Sequence, residues 1–126
     1  MIDDQFSRDN FSHEGIFVID DSGELVIFNS CSHNGVVNSI ESARRFFPNK
    51  RIRSYVGGMH FPYGKEQTIP PDDMRNLEEL VDYAKQHPEL RFYTGHCTGE
   101  GTIKFLQKEL GKNKVLRIQS GHSYSV

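Results

Sequence analysis

Apolar residues along this chain fall into short runs separated by glycine, proline and acidic turns, and the spacing inside each run predicts its element. Ile16, Phe17, Val18 and Ile19 are followed by Asp20-Asp21-Ser22-Gly23 and then by Leu25, Val26, Ile27 and Phe28, which reads as a β-hairpin closed by turn chemistry. Both runs lack polar alternation, the pattern of strands covered on both faces. Val36, Val37, Ile40, Ala43 and Phe47 recur at helical spacing until Pro48 stops them. Ile52 to Val56 is a strand, and Phe61 to Pro70 a loop. Pro71, Asp72 and Asp73 open a second helix, since proline is tolerated in the first turn and carboxylates complement the helix dipole there. Its apolar stripe is Met74, Leu77, Leu80, Val81 and Ala84, and Pro88 ends it. Leu90 to Tyr93 is a short strand, Ile103, Leu106 and Leu110 mark a third helix closed by Gly111, and Val115 to Ile118 is a last strand.

The resulting order, β-β-α-β-α-β-α-β, is that of a layered α/β protein. Residues 1–14 read as a polar lead-in segment and 15–126 as the domain. In such sheets functional side chains collect beyond the carboxyl ends of the strands. Three junctions put a histidine there: Cys31-Ser32-His33-Asn34-Gly35, Gly57-Gly58-Met59-His60, and Thr94-Gly95-His96-Cys97-Thr98-Gly99. Neighbouring strands lie about 4.8 Å apart, so imidazoles from two or three strand ends can converge on one ion. His33, His60 and His96 are therefore the candidate metal ligands, and neutral imidazole suits zinc, iron and related metals.

Cys31 and Cys97 could ligate a metal or act as a redox pair; the reading adopted is that of small buried residues beneath the site. Glu100 is a candidate for acid–base work or an outer contact, with a helix-start carboxylate as its default role. His13, beside Glu14, is an outer candidate, His87 a solvated helix end, and His122 part of a polar tail. Asp20, Asp21, Asp72 and Asp73 are explained by turns and helix starts. The glycine-rich stretch Gly95 to Gly101 could hold a phosphate, but it lacks the Gly-Lys-Ser/Thr ending of a phosphate-binding loop.

Composition narrows the classes further. A chain of 126 residues has room for one domain. With 15 basic and 17 acidic residues, its net charge of -2 supplies no field for nucleic acid or an anionic membrane. The basic cluster Arg44, Arg45, Lys50, Arg51 and Arg53 reads as a solvated face. No apolar run approaches the roughly 20 residues of a membrane helix, and the first residues are polar, so a soluble, cytoplasmic protein is expected. Two cysteines are too few for a disulfide scaffold.

The three junctions taken in order, Phe28-Asn29-Ser30-Cys31-Ser32-His33-Asn34-Gly35, Val56-Gly57-Gly58-Met59-His60 and Gly95-His96-Cys97-Thr98-Gly99, resemble the C-terminal half of metallo-β-lactamase-fold metallohydrolases. Within that family they resemble the branch that includes the archaeal dihydropterin ribofuranosyl-aminobenzene phosphate synthase of methanopterin biosynthesis. The resemblance implies half of an αββα sandwich, in which two αβ halves pack sheet against sheet around a one- or two-metal site. It makes His33 the ligand after the opening strands and His96 the last ligand, while His60 falls where many members carry a bridging aspartate. The family's His-x-His-x-Asp-His signature is absent. The implied protein is a metal-dependent hydrolase of a small substrate, phosphorylated or not, using a divalent metal: zinc first, manganese or iron otherwise. It would need a companion N-terminal half or a homodimer, because helices on one side leave an apolar sheet face in want of cover. Alternatives are a non-catalytic binding or assembly module of the same fold, a transferase like the methanopterin-pathway synthase, and a thiol-based redox or metal-sensing protein.

Overall fold

A computed structural model describes Asn10 and residues 12–126, so most of the expected lead-in lies outside the described residues. Strands β1 (Phe17–Asp21) and β2 (Glu24–Asn29) form the hairpin. After them come α1 (Val36–Phe46), β3 (Arg51–Gly57), α2 (Pro71–Gln86), β4 (Arg91–Thr94), α3 (Glu100–Leu110) and β5 (Val115–Arg117), the order the sequence predicts. No helix among the described residues is long and apolar enough to cross a membrane.

The five strands lie side by side in chain order, β1-β2-β3-β4-β5. β1 runs antiparallel to β2, and all the others are parallel. Each crossover advances one strand in the same direction, and right-handed crossovers of that kind put their helices on one face. Accordingly Val36 and Ile40 of α1, Leu77, Leu80 and Val81 of α2 and Leu106 of α3 share one buried cluster with Leu25, Ile27, Ile52, Tyr55, Phe92 and Val115 of the sheet. Ile52 and Tyr55 can both face that core because the register slips between them. Leu25 opposes Ile52 but Val26 opposes Ser54, which leaves Arg53 as an extra residue.

The other face of the sheet is covered unevenly. Val26 and Tyr93 are each 2% exposed. Tyr93 lies under the chain's last residues: its hydroxyl donates to the carbonyl of Ser125 at 2.7 Å, and its ring is 6.5 Å from that of Tyr124. At the β1 edge, however, Phe17 is 66% and Ile19 42% exposed. The expectation of a hairpin covered on both faces therefore holds for β2 and fails for β1, an edge strand with a neighbour on one side only. Two smaller readings change as well. Phe47 is not part of the apolar stripe of α1, because the helix ends there and the side chain turns outward beside Phe46. His87 does stand at the end of α2, as expected, but it is half-buried: its ring stacks on Tyr83 at 4.3 Å, and its Nδ1 lies 2.8 Å from the carbonyl of Tyr83.

Candidate metal centre

The loops after β2, β3 and β4 meet at one end of the sheet, and their meeting is arranged by backbone rather than by apolar packing. Four residues other than glycine adopt positive φ among those described, and three of them belong to these loops: Ser32 (58°), His60 (56°) and Cys97 (46°). The left-handed region costs such residues of order 1–3 kcal/mol each, so the surroundings must impose it. They do so through Gly58. Its N–H donates to the carbonyl of Ser30 at 2.9 Å, and its carbonyl accepts from Ser32 Oγ at 2.8 Å and Tyr55 Oη at 2.9 Å. Ser32 and Tyr55 also contact each other through their hydroxyls, and burial holds the Tyr55 phenol protonated well above its ordinary range. Thr98 ties down the third loop: its Oγ1 accepts from the N–H of Met59 at 3.0 Å and lies 2.7 Å from Thr94 Oγ1.

All three predicted histidines are exposed at this end, but they do not form one group. His33 and His60 meet edge to face with ring centroids 4.4 Å apart. They line a cleft of about 630 Å³ whose opposite wall is α2, with Asp73, Glu79, Asp82 and Tyr83. His96 opens instead into a recess bordered by Asn29, Gly57, Gly58 and Ile118. Its imidazole gathers with Cys31 and Cys97, the ligand atoms of all three lying within 4.8 Å of one another. Among the described residues this is the group of three or more histidine, cysteine or carboxylate donors that meets that limit. The cysteines are thus half-buried neighbours of His96 rather than packing beneath the site. Burial holds the Cys97 thiol above its ordinary pKa, with the Cys31 thiol reinforcing the shift and a backbone hydrogen bond at His60 opposing it.

Other candidates resolve differently. Glu100 starts α3 and pairs with Lys65 at 3.0 Å and Lys104 at 4.0 Å, which holds its carboxyl below the usual range and leaves it in the helix-start role. The phosphate reading of Gly95 to Gly101 is overturned, because protein carbonyls occupy the amides. The N–H groups of Gly99 and Gly101 donate to the carbonyls of Phe61 and Tyr63, both at 2.9 Å. The absence of side chains is what lets that loop approach: a Cβ at Gly99 would stand 2.1 Å from the Tyr63 carbonyl oxygen. Glu14 was visible in the sequence only as a neighbour of His13. Its two carboxylate oxygens accept from the N–H groups of His33 and Asn34 at 2.7 and 2.8 Å, which fixes the first histidine loop from outside the sheet. Asn29, 8% exposed, donates to Ser39 at 3.0 Å, and its Oδ1 has no partner among the described residues. Neither role has a sequence signal, since both depend on where a loop folds back.

A five-stranded, mostly parallel sheet with three helices and a metal-competent loop at three consecutive strand ends makes this a mixed α/β protein, and its fold is similar to that of a β-lactamase-superfamily protein. The chain is similar to a metal-dependent hydrolase of the β-lactamase superfamily solved by crystallography, with a TM-score of 0.66 and 26% identity over 86% of this chain and 39% of that one. It is also 25% identical, over 114 residues, to 7,8-dihydropterin-6-methyl-4-(beta-D-ribofuranosyl)-aminobenzene-5'-phosphate synthase of Methanocaldococcus jannaschii. That match covers 90% of this chain and 35% of the relative, so the chain spans about a third of the curated protein it resembles. No protein-family profile matches the chain.

Proposed function

We propose that this chain supplies the histidine ligands of a metal-dependent hydrolase site: His33, His60 and His96, with zinc as the metal and manganese or iron as the alternatives. The observation that carries the reading is the placement of those three side chains at the carboxyl ends of adjacent parallel strands, two of them already in ring contact at 4.4 Å. Imidazole donors beside thiols fit a borderline divalent ion. When bound, such an ion would lower the pKa of a coordinated water and polarise an ester or phosphoryl oxygen. The chain's own residues position the loops. Glu14 holds the backbone at His33, and the Gly58 carbonyl joins the β2 and β3 loops through Ser32 and Tyr55. The cleft beside His33 and His60, about 630 Å³, is the size of a small-molecule site. Its α2 wall carries carboxylates, so a phosphorylated substrate would turn its anion away from Asp73, Glu79 and Asp82 and toward the histidines.

A companion half or a second copy belongs to the same proposal. The sequence has no His-x-His-x-Asp-His, and the exposed Phe17 and Ile19 offer apolar surface on the sheet face away from the helices. Thiols at Cys31 and Cys97 suit a reducing compartment such as the cytoplasm. The second reading, a transferase on the same centre, is favoured by the similarity to the archaeal synthase. The test is elemental analysis of protein produced with zinc, manganese and iron available, repeated on His33→Ala, His60→Ala and His96→Ala. A stoichiometric ion lost from the variants is expected. Equal metal content in all four proteins would end the reading and leave a non-catalytic module of the same fold.

A further inference from the structure

The hydrolase reading leaves two chemistry-bearing side chains unused, Cys31 and Cys97. They sit in the loops after β2 and β4, strands separated by β3, so they can approach only if the end of β3 stays out of the way. Gly58 provides that opening. A Cβ there would stand 2.3 Å from Cys97 Sγ, 2.5 Å from the His96 carbonyl oxygen and 2.6 Å from that of Ser30. Cys97 is itself turned into the left-handed region, at φ 46°, and its Sγ comes within 3.8 Å of the Cys31 carbonyl. A thiol that only filled space would need neither a second thiol nor an imidazole within 4.8 Å, and here both are present.

We propose that Cys31, Cys97 and His96 form a thiolate-bearing site for zinc or another borderline-soft divalent ion, distinct from the His33–His60 contact. Binding replaces water ligands of the ion with two thiolate sulfurs and one imidazole nitrogen; the waters are released to solvent and the two thiol protons to the buffer, with no change of oxidation state. Two thiolates neutralise the double charge of the ion. Three protein donors leave the fourth tetrahedral position for water or an outside ligand. Sulfur donors discriminate against magnesium, calcium and manganese, which favour oxygen. His96 is common to this set and to the histidine set, so the proposal goes beyond the hydrolase reading by giving the ion at His96 two sulfur neighbours.

The decisive measurement is X-ray absorption at the zinc edge on the full unmutated chain, loaded with one equivalent of zinc, its thiols kept reduced by a non-coordinating phosphine. Sulfur neighbours at about 2.3 Å with nitrogen at about 2.0–2.1 Å are expected. A shell of nitrogen and oxygen alone overturns the thiolate site and leaves the three-histidine reading standing; no zinc retained after gel filtration overturns it too. Cobalt(II) gives a second readout. A sulfur-to-metal charge-transfer band is expected in the unmutated chain, weakened in Cys31→Ser and lost in Cys97→Ser. An undiminished band in Cys97→Ser would overturn the assignment. Because Cys97 holds a left-handed turn, that variant is compared only when its far-ultraviolet circular dichroism matches the parent, and otherwise the absorption edge decides.

Discussion

At the amino end of its parallel strands the sheet is held by charge, and at the carboxyl end by backbone geometry. Lys50 pairs with Asp20, Arg51 with Glu24 at 3.4 Å, and Arg53 with Asp21 at 2.9 Å and Glu24 at 3.4 Å, all of them partly exposed. Of the basic cluster that reads in the sequence as a solvated face, Lys50, Arg51 and Arg53 are thus ion-paired with acidic residues of the hairpin while still open to water, and Arg44 pairs with Glu41 on its own helix. At the other end the ion pairs among the described residues are those of Glu100 with Lys65 and Lys104, and the histidine loops themselves are joined in another way. Three strained residues, a Gly-Gly pair and a set of shared carbonyls bring three loops within contact of one another. Exposed ion pairs are individually weak and replaceable, whereas a shared carbonyl with two donors is a single point on which several loops depend. The comparison predicts that substitutions of equal size will matter unequally at the two ends.

The largest effect is expected at Gly58. An added methyl would overlap a sulfur and two backbone oxygens, all within 2.6 Å. Two of those three are main chain, so relief requires moving a loop and not a rotamer. Gly58→Ala should destabilise by about 3 kcal/mol, at the upper end of what overpacking costs, read as a lowered denaturant midpoint with unchanged slope. It should also separate Cys97 from Cys31. A loss below about 1 kcal/mol would show that the loops give way easily and would remove the basis for treating this end as geometrically fixed.

A smaller effect is expected at Glu14. Both of its oxygens accept backbone N–H groups, at His33 and Asn34, but His33 and Asn34 are exposed and water can replace the carboxylate. Glu14→Ala should therefore cost about 1 kcal/mol of stability while lowering metal retention in parallel with His33→Ala, because the histidine loop loses its anchor. Metal content unchanged in this variant, with His33→Ala depleted, would restrict Glu14 to a structural role.

How far the sequence could be read follows from the same contrast. The helices and strands are set by local periodicity, so the β-β-α-β-α-β-α-β order and the helical stripe Leu77, Leu80, Val81 and Ala84 are legible from spacing alone. The strand-end position of His33, His60 and His96 is legible for the same reason. Which of them share a neighbourhood is not. That depends on the direction a loop takes after its strand; the left-handed turns at Ser32 and Cys97 have no residue signature, and the enrichment of histidine in that region is too slight to place the turn at His60 from sequence. The exposure of Phe17 and Ile19 was hidden for a different reason. An apolar run reads alike on an edge strand and on a central one, and only the strand order distinguishes them. The slip at Arg53 is likewise invisible, because a bulge is a property of two strands together.

The smallest effect is expected at the amino end, and its pH dependence separates it from the others. Lys50 holds the Asp20 carboxyl below its usual range by a hydrogen bond and by charge, assisted by the Gly23 N–H, which donates to Asp20 at 3.0 Å, and opposed by partial desolvation. A carboxylate whose folded pKa is depressed contributes stability above its unfolded value near 4, and that contribution is lost as pH falls through the folded value. Lys50→Met should then lower the thermal midpoint at neutral pH by less than either substitution at the carboxyl end. The difference from the parent should shrink in high salt, which screens exposed charges, and close as pH drops below about 4. Thermal unfolding of both proteins at neutral and acid pH, with and without salt, measures this directly. A difference that survived acid and salt would mean that Lys50 acts through packing of its stem and not through Asp20, and the amino end would then share the geometric character of the other.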